Sequence, residues 1–189
     1  MNEIIGVTDK ISCSIDGKSK FAEKLFIGGR FKFECFDHNG DLKWVDKSPN
    51  IWVNEGIIDL LTVYCKAGTA PVALYVGLRT DSNNAAATWI HTPGTDWTEF
   101  TAYSGGARKE WVDGTIINNR ISNSGSVAIF PITGTATITG GFMAKSSTRG
   151  GGGTDDKLLC SSQLGIARPV TDGDTVNITY ELGMNDDAE

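Results

Sequence analysis

Two histidines, four cysteines and two short aspartate clusters are the side chains best suited to chemistry, and their spacing decides whether they do any. A catalytic histidine needs a positioned partner. His38 stands in Asp37-His-Asn-Gly40 and His91 in His91-Thr-Pro-Gly94, both turn sequences with no such partner, so both read as solvated turn residues. Gly150 to Gly153 has the composition of a phosphate cradle. No Gly-Lys-Ser/Thr follows and no helix opens from it, which leaves a flexible loop. Asp155-Asp156 and Asp172-Gly-Asp174 offer carboxylates to a cation. Neither has EF-hand spacing, and Asp-Gly-Asp before a strand is ordinary turn chemistry. Asn177-Ile-Thr179 fits the glycosylation pattern but falls inside a predicted strand of a chain without a secretory leader. Cys13, Cys35, Cys65 and Cys160 lie far apart with no CxxC, so free thiols and a reducing folding compartment are expected. The reading is no catalytic site, no cofactor and no metal.

One constellation remains. Trp97-Thr-Glu-Phe-Thr-Ala-Tyr103 is followed by Gly105-Gly106 and then by Arg108-Lys-Glu-Trp111. It reads as two short strands joined by a tight Gly-Gly turn, with aromatic residues at both ends. Arg108 lies between Tyr103 and Trp111. Its guanidinium is placed to stack on an aromatic ring or to pair with Glu99 across the hairpin, and the functional alternative is a contact between subunits. Of the five tryptophans, Trp44 and Trp97 sit in alternating strands and are expected in the core. Trp89, in Ala85-Ala-Ala-Thr-Trp-Ile90, is the candidate for a surface contact.

These residues need elements to hold them. Phe31, Phe33 and Cys35 alternate with Lys32 and Glu34, a half-buried strand. Asn39-Gly40 turns it back on Leu42 to Val45. Pro49 interrupts the piece that leads to Ile51-Trp-Val53. Asn54 can cap a helix whose residues Ile57, Leu60, Leu61 and Tyr64 share a face, with Gly68 just past its end. Everything after it reads as strand. Leu74, Val76 and Leu78 alternate, Thr115 to Ser122 forms another strand, and Ser126 to Ile132 is apolar on both faces. Period two returns at Thr135 to Gly140 and at Thr175 to Leu182, with a short strand at Lys157 to Cys160. Eight to ten short strands and one short helix give an all-β fold, a jelly-roll-like β-sandwich. It is preceded by an extended N-terminal arm over 1–27, occupies 28–183 and ends in an acidic tail over 184–189.

The chain has 189 residues and 21% charged residues, which suits one folded domain. A net charge of −6 gains nothing from releasing phosphate counterions, so nucleic acid is not an expected partner. No apolar run approaches the ~20 residues of a membrane span.

Several segments together resemble a family of tailed-bacteriophage virion proteins. The run Arg30 to Trp44 is similar to its opening strands. Asn50-Ile-Trp-Val-Asn-Glu-Gly56 leads into a helix, and Tyr75-Val-Gly-Leu78 continues the match in order. Trp97-Thr-Glu-x-Thr-Ala-Tyr103 with Arg108-x-x-Trp111 is its most specific part. Phe142, Ser147-Thr-x-Gly-Gly151 and Asp172-Gly-Asp-Thr-Val176 complete it over residues 30 to 182. The resemblance implies a capsid decoration or cement protein, made in the host bacterial cytoplasm and bound to the virion surface. Its implied partners are the major capsid protein and further copies of itself, as a dimer or trimer, and no enzyme activity is implied. Family members start near the Phe31 strand, so the arm is an addition. Phe21, Phe26, Trp89, Trp97, Tyr103, Arg108 and Trp111 are the candidate structural and interface residues. The competing readings are a tail-associated or host-surface module that binds glycans through Trp89, and a polysaccharide-degrading enzyme, which requires paired carboxylates in a cleft.

Overall fold

The computed structural model describes residues 26–92, 96–151 and 156–185. Phe21, Cys13 and Asp155 lie outside them, as do the other residues of 1–25 and the last four residues, while Phe26 and Ile27 of the expected arm belong to the first strand. Twelve strands and one helix follow in order: β1 Phe26–Phe36, β2 Leu42–Trp52, α1 Asn54–Cys65, β3 Tyr75–Arg79, β4 Glu99–Phe100, β5 Lys109–Glu110, β6 Arg120–Ser122, β7 Ala128–Pro131, β8 Ala136–Ile138, β9 Gly140–Ala144, β10 Leu158–Ser162, β11 Arg168–Val170 and β12 Thr175–Asn185. All pairings between them are antiparallel. The fold is all-β with one short helix, as the alternation required. The jelly-roll topology stays an expectation from the strand spacing and the resemblance.

The first layer is built on β1. Phe31, Phe33 and Cys35 point inward, and β12 pairs with β1 from Phe26↔Asn185 to Phe36↔Thr175, which sets Val176, Ile178 and Tyr180 on the same inner face. The Phe31 and Tyr180 rings lie 4.3 Å apart. β2 returns from the Asp37–Asp41 turn, where Gly40 has φ 87°, and pairs with β1 as far as Pro49. Proline has no N–H for the ladder. There β2 leaves β1, and Asn50–Trp52 pair with β10 instead. This single strand therefore carries the chain from one layer to the other.

The second layer runs β10, β9, β3, and β3 gives its far edge to both β4 and β5. Its inner residues, Val76, Leu78, Met143 and Cys160, close over Phe31, Phe33 and Ile178 in one core. The Phe33 ring tip lies 3.0 Å from where a Cβ on Gly141 of β9 would stand. β6 and β7 share the outer edge of β12, and β8 with β11 forms a small separate sheet.

Three expectations are corrected. The run 126–132 is not apolar inward on both faces, because Ile129 of β7 points to solvent while Ala128 and Phe130 are buried. Only Arg120–Ser122 of 115–122 is strand, since Asn118 and Asn119 take positive φ and reverse the chain. Asn54 does not cap α1. The cap position is Val53, and no side chain bonds there.

Candidate functional site

The Trp97–Trp111 constellation is one buried assembly, but not a hairpin. β4 pairs with Leu78 and Arg79, and β5 pairs with Tyr75 and Val76, so both halves lie end to end along β3. Gly105 and Gly106 have φ 102° and 67°, the left-handed conformation that lets the chain reverse between them. A Gly-Gly turn marks a reversal; it does not decide which strand the two arms pair with.

Arg108 sits at the centre with its side chain fully buried. Its Nε and Nη2 donate to the two oxygens of Glu99, both at 3.0 Å. Its Nη1 donates to Asp156 Oδ2 at 2.8 Å and to the Ser146 carbonyl at 3.0 Å. These bonds use four of the five guanidinium N–H groups. Its Cζ lies 5.1 Å from the Phe142 ring centroid. Burial alone would pull the Arg108 pKa down; the bonds and charges of Glu99 and Asp156 outweigh it and hold the pKa above its ordinary value. Glu99 also accepts from the Gly150 amide at 2.8 Å, and Asp156 from the Ser146 amide at 3.1 Å. Arg149 donates to the Thr101 and Tyr103 carbonyls, both at 2.8 Å, and lies 3.7 Å over the Tyr103 ring. Burial, then the charge of Glu99, push the Tyr103 hydroxyl up to about 12. The cluster thus clips the 146–151 segment to 99–108.

The pairing of Arg108 with Glu99 is as expected from the sequence. The contact between subunits is excluded for Arg108, which has no surface to offer. Trp97, Tyr103 and Trp111 are likewise core residues. The Trp97 Nε1 donates to the Ile90 carbonyl at 2.9 Å and the Trp111 Nε1 to the Tyr180 carbonyl at 3.1 Å. Trp89 overturns its reading as a surface platform. It is 4% exposed, stacks on Trp97 at 6.4 Å and lies 4.4 Å under the guanidinium of Arg79. The glycan reading loses its named residue. Among the described candidates, Phe26 is the one left on the surface, at 56% exposed.

Two groups escaped the sequence reading. Arg79, at the end of β3, is as buried as Arg108. It bonds Asp81 through Nε at 3.0 Å and Nη2 at 2.5 Å, and donates to the carbonyls of Ser162 at 2.8 Å and Asn83 at 2.7 Å. The available signal was Arg79-x-Asp81, opposite charges two residues apart where β3 ends. His91 is half-buried, not a solvated turn residue. Its Nδ1 lies 2.9 Å from Glu55 Oε1, and Glu55 Oε2 accepts the amides of His91 at 2.7 Å and Leu158 at 2.9 Å. Only the first turn of α1 brings that carboxylate to residue 91.

Asp174 confirms the turn reading of Asp172-Gly-Asp174. Gly173 has φ 88°, and Asp174 Oδ2 accepts from the Thr171 amide at 2.7 Å and from Lys43 at 2.6 Å. Among the described residues no cluster of three His, Cys, Asp or Glu could hold a metal. Cys35, Cys65 and Cys160 are free thiols; Cys35 and Cys160 are buried. Burial, reinforced by Asp174, pushes Cys35 up to about 11, and burial pushes Cys160 up to about 11. No family model matches the chain, and no curated protein matches it.

Proposed function

We propose that the protein is a structural, non-enzymatic component of a bacteriophage virion that binds the outside of the capsid and stabilises contacts between major capsid subunits. The motif resemblance supports the family. The observation that carries the attachment is an open sheet edge. β1 is flanked by β12 and β2 from Arg30 onward, but among the described residues Phe26–Gly29 have only β12 beside them. Among the described residues, that edge of β1 at Phe26–Gly29 therefore carries no partner strand. Such an edge accepts a strand from a neighbour, and main-chain bonds give the affinity without special side chains. β1 begins at Phe26, at this same edge. On a lattice, many modest contacts of this kind add up.

The test mixes the purified protein with capsids that lack it. Saturable co-sedimentation and a higher capsid melting temperature are expected, with weaker attachment after deletion of residues 1–25. Absence of saturable binding to capsids overturns the proposal.

A further inference from the structure

Helix α1 is inverted. At 100° per residue, Gly56, Leu60 and Val63 face the sandwich, while Ile57, Ile58, Leu61 and Tyr64 face out. The inner face works through backbone contact: a Cβ on Gly56 would stand 2.6 Å from the Leu159 Cα, so glycine alone lets the helix settle on β10. Polar bonds complete it, from Lys145 to Asp59 at 2.8 Å and from the Leu158 amide to Glu55 at 2.9 Å. The outer face keeps Ile57 37%, Ile58 64%, Leu61 53% and Tyr64 81% exposed. Of the four residues expected to share a face, Leu60 turns toward the sandwich while Ile57, Leu61 and Tyr64 face out.

From this arrangement we infer that the outer face of α1 is the contact between two copies of this chain, related by a two-fold axis through Leu61. The face carries its own complement. Tyr64 projects from one flank. On the other flank, Ile58, Trp89 and Ile90 line a groove of about 470 Å³, and Ile90 is itself 47% exposed. Ile58 and Tyr64 are about 9 Å apart along the axis and about 120° apart around it, with Leu61 between them. A two-fold through Leu61, with the helices crossing steeply, lays the Tyr64 of each copy over the groove of the other. A contact that closes on two copies must be self-complementary in this sense.

The size of the face points to a reversible pair. The four side chains leave on the order of 500 Å² open per copy, at the upper end of what a monomer ordinarily shows. Two copies together bury on the order of 1,000 Å², near the lower limit of specific interfaces. Interfaces of that size belong to the weak, transient class. This inference does not depend on the capsid reading.

Sedimentation velocity of the full chain, run through the micromolar range with reductant so that exposed Cys65 forms no disulfide, tests it. The expected result is a concentration-dependent dimer. Leu61→Glu weakens it about 30-fold or more, the effect of losing a central anchor, and Tyr64→Ser about 10-fold. Ile129→Glu, an exposed apolar position on β7, leaves it unchanged, and circular dichroism reports all three variants folded. A monomer at every concentration overturns the inference. So does a dimer that survives both helix variants or is broken by Ile129→Glu.

Discussion

The interior around Arg108 and the outer face of α1 are opposites. One buries charges, the other exposes four large apolar side chains, and each departs from the usual sorting of residues by water. The difference lies in their partners. Arg108, Glu99 and Asp156 already pair with one another inside the chain, so the cluster's charges are matched internally. Ile57, Ile58, Leu61 and Tyr64 have no cover among the described residues. In a protein of this kind the unusual interior marks what holds the fold, and the unusual surface marks where another molecule is needed.

The sharpest way to break that comparison is to remove the cation. Arg108→Met fills the volume but strands two buried carboxylates, and removing one partner of a buried ion pair costs about 3–5 kcal/mol. Chemical denaturation should show a loss of that size, and Arg108→Lys, which keeps the charge without the fork, should lose less. A wild-type midpoint for Arg108→Met would mean that the cluster braces nothing. Arg79→Met comes next. Its partner Asp81 lies closer to water, at 8% side-chain exposure, and can be rehydrated by a small shift. A loss of about 2–3 kcal/mol is expected, mostly from the Ser162 and Asn83 carbonyls left without a donor.

Acid offers a smaller effect of defined sign. Burial raises the Asp81 pKa, but Arg79 and the Thr98 and Asn83 amides outweigh it and bring it below 3.8. Asp174 is lowered in the same way, against its burial, by Lys43 and the Thr171 amide. A carboxylate depressed in the folded state stabilises fully above its unfolded pKa and loses that contribution as pH falls through the folded value. Stability should therefore begin to fall below about pH 4, and Asp81→Asn should flatten part of that slope in an acid titration. The buried thiols act at the other end. Raised from 9.0 to about 11, Cys35 and Cys160 stay neutral in the fold while the unfolded chain ionises, so stability should decline between those values.

What the sequence made legible follows from range. The alternation of Phe31, Phe33 and Cys35, and of Val176, Ile178 and Tyr180, reports one-sided burial, a local property, and both strands stand where the period puts them. The extent of α1 is equally local. Partners are not. The strands flanking Gly105-Gly106 meet β3 and not each other, because hydrogen bonds to a strand 20 to 35 residues earlier win over the neighbour across the turn. Trp89 lies in a stretch without any period, and its burial depends on Arg79 and Trp97 closing over it. Arg108 was readable because Glu99 stands nine residues away; Asp156, forty-eight residues on, was not. For α1 the pattern showed an apolar stripe but not the direction it faces. Hydrophobic period says that a face will be covered, never by which chain.

That last point yields the smallest effect and the cleanest separation of the two regions. If the outer face of α1 belongs to a partner, Leu61→Glu removes nothing that the isolated fold uses. Its unfolding free energy, measured below the concentration at which copies associate, should stay within about 0.5 kcal/mol of wild type, as for an ordinary surface substitution. A loss of 2 kcal/mol or more would be the signature of a core leucine. It would mean that Leu61 is covered within its own chain, and the contrast between a closed interior and an open helix would be gone.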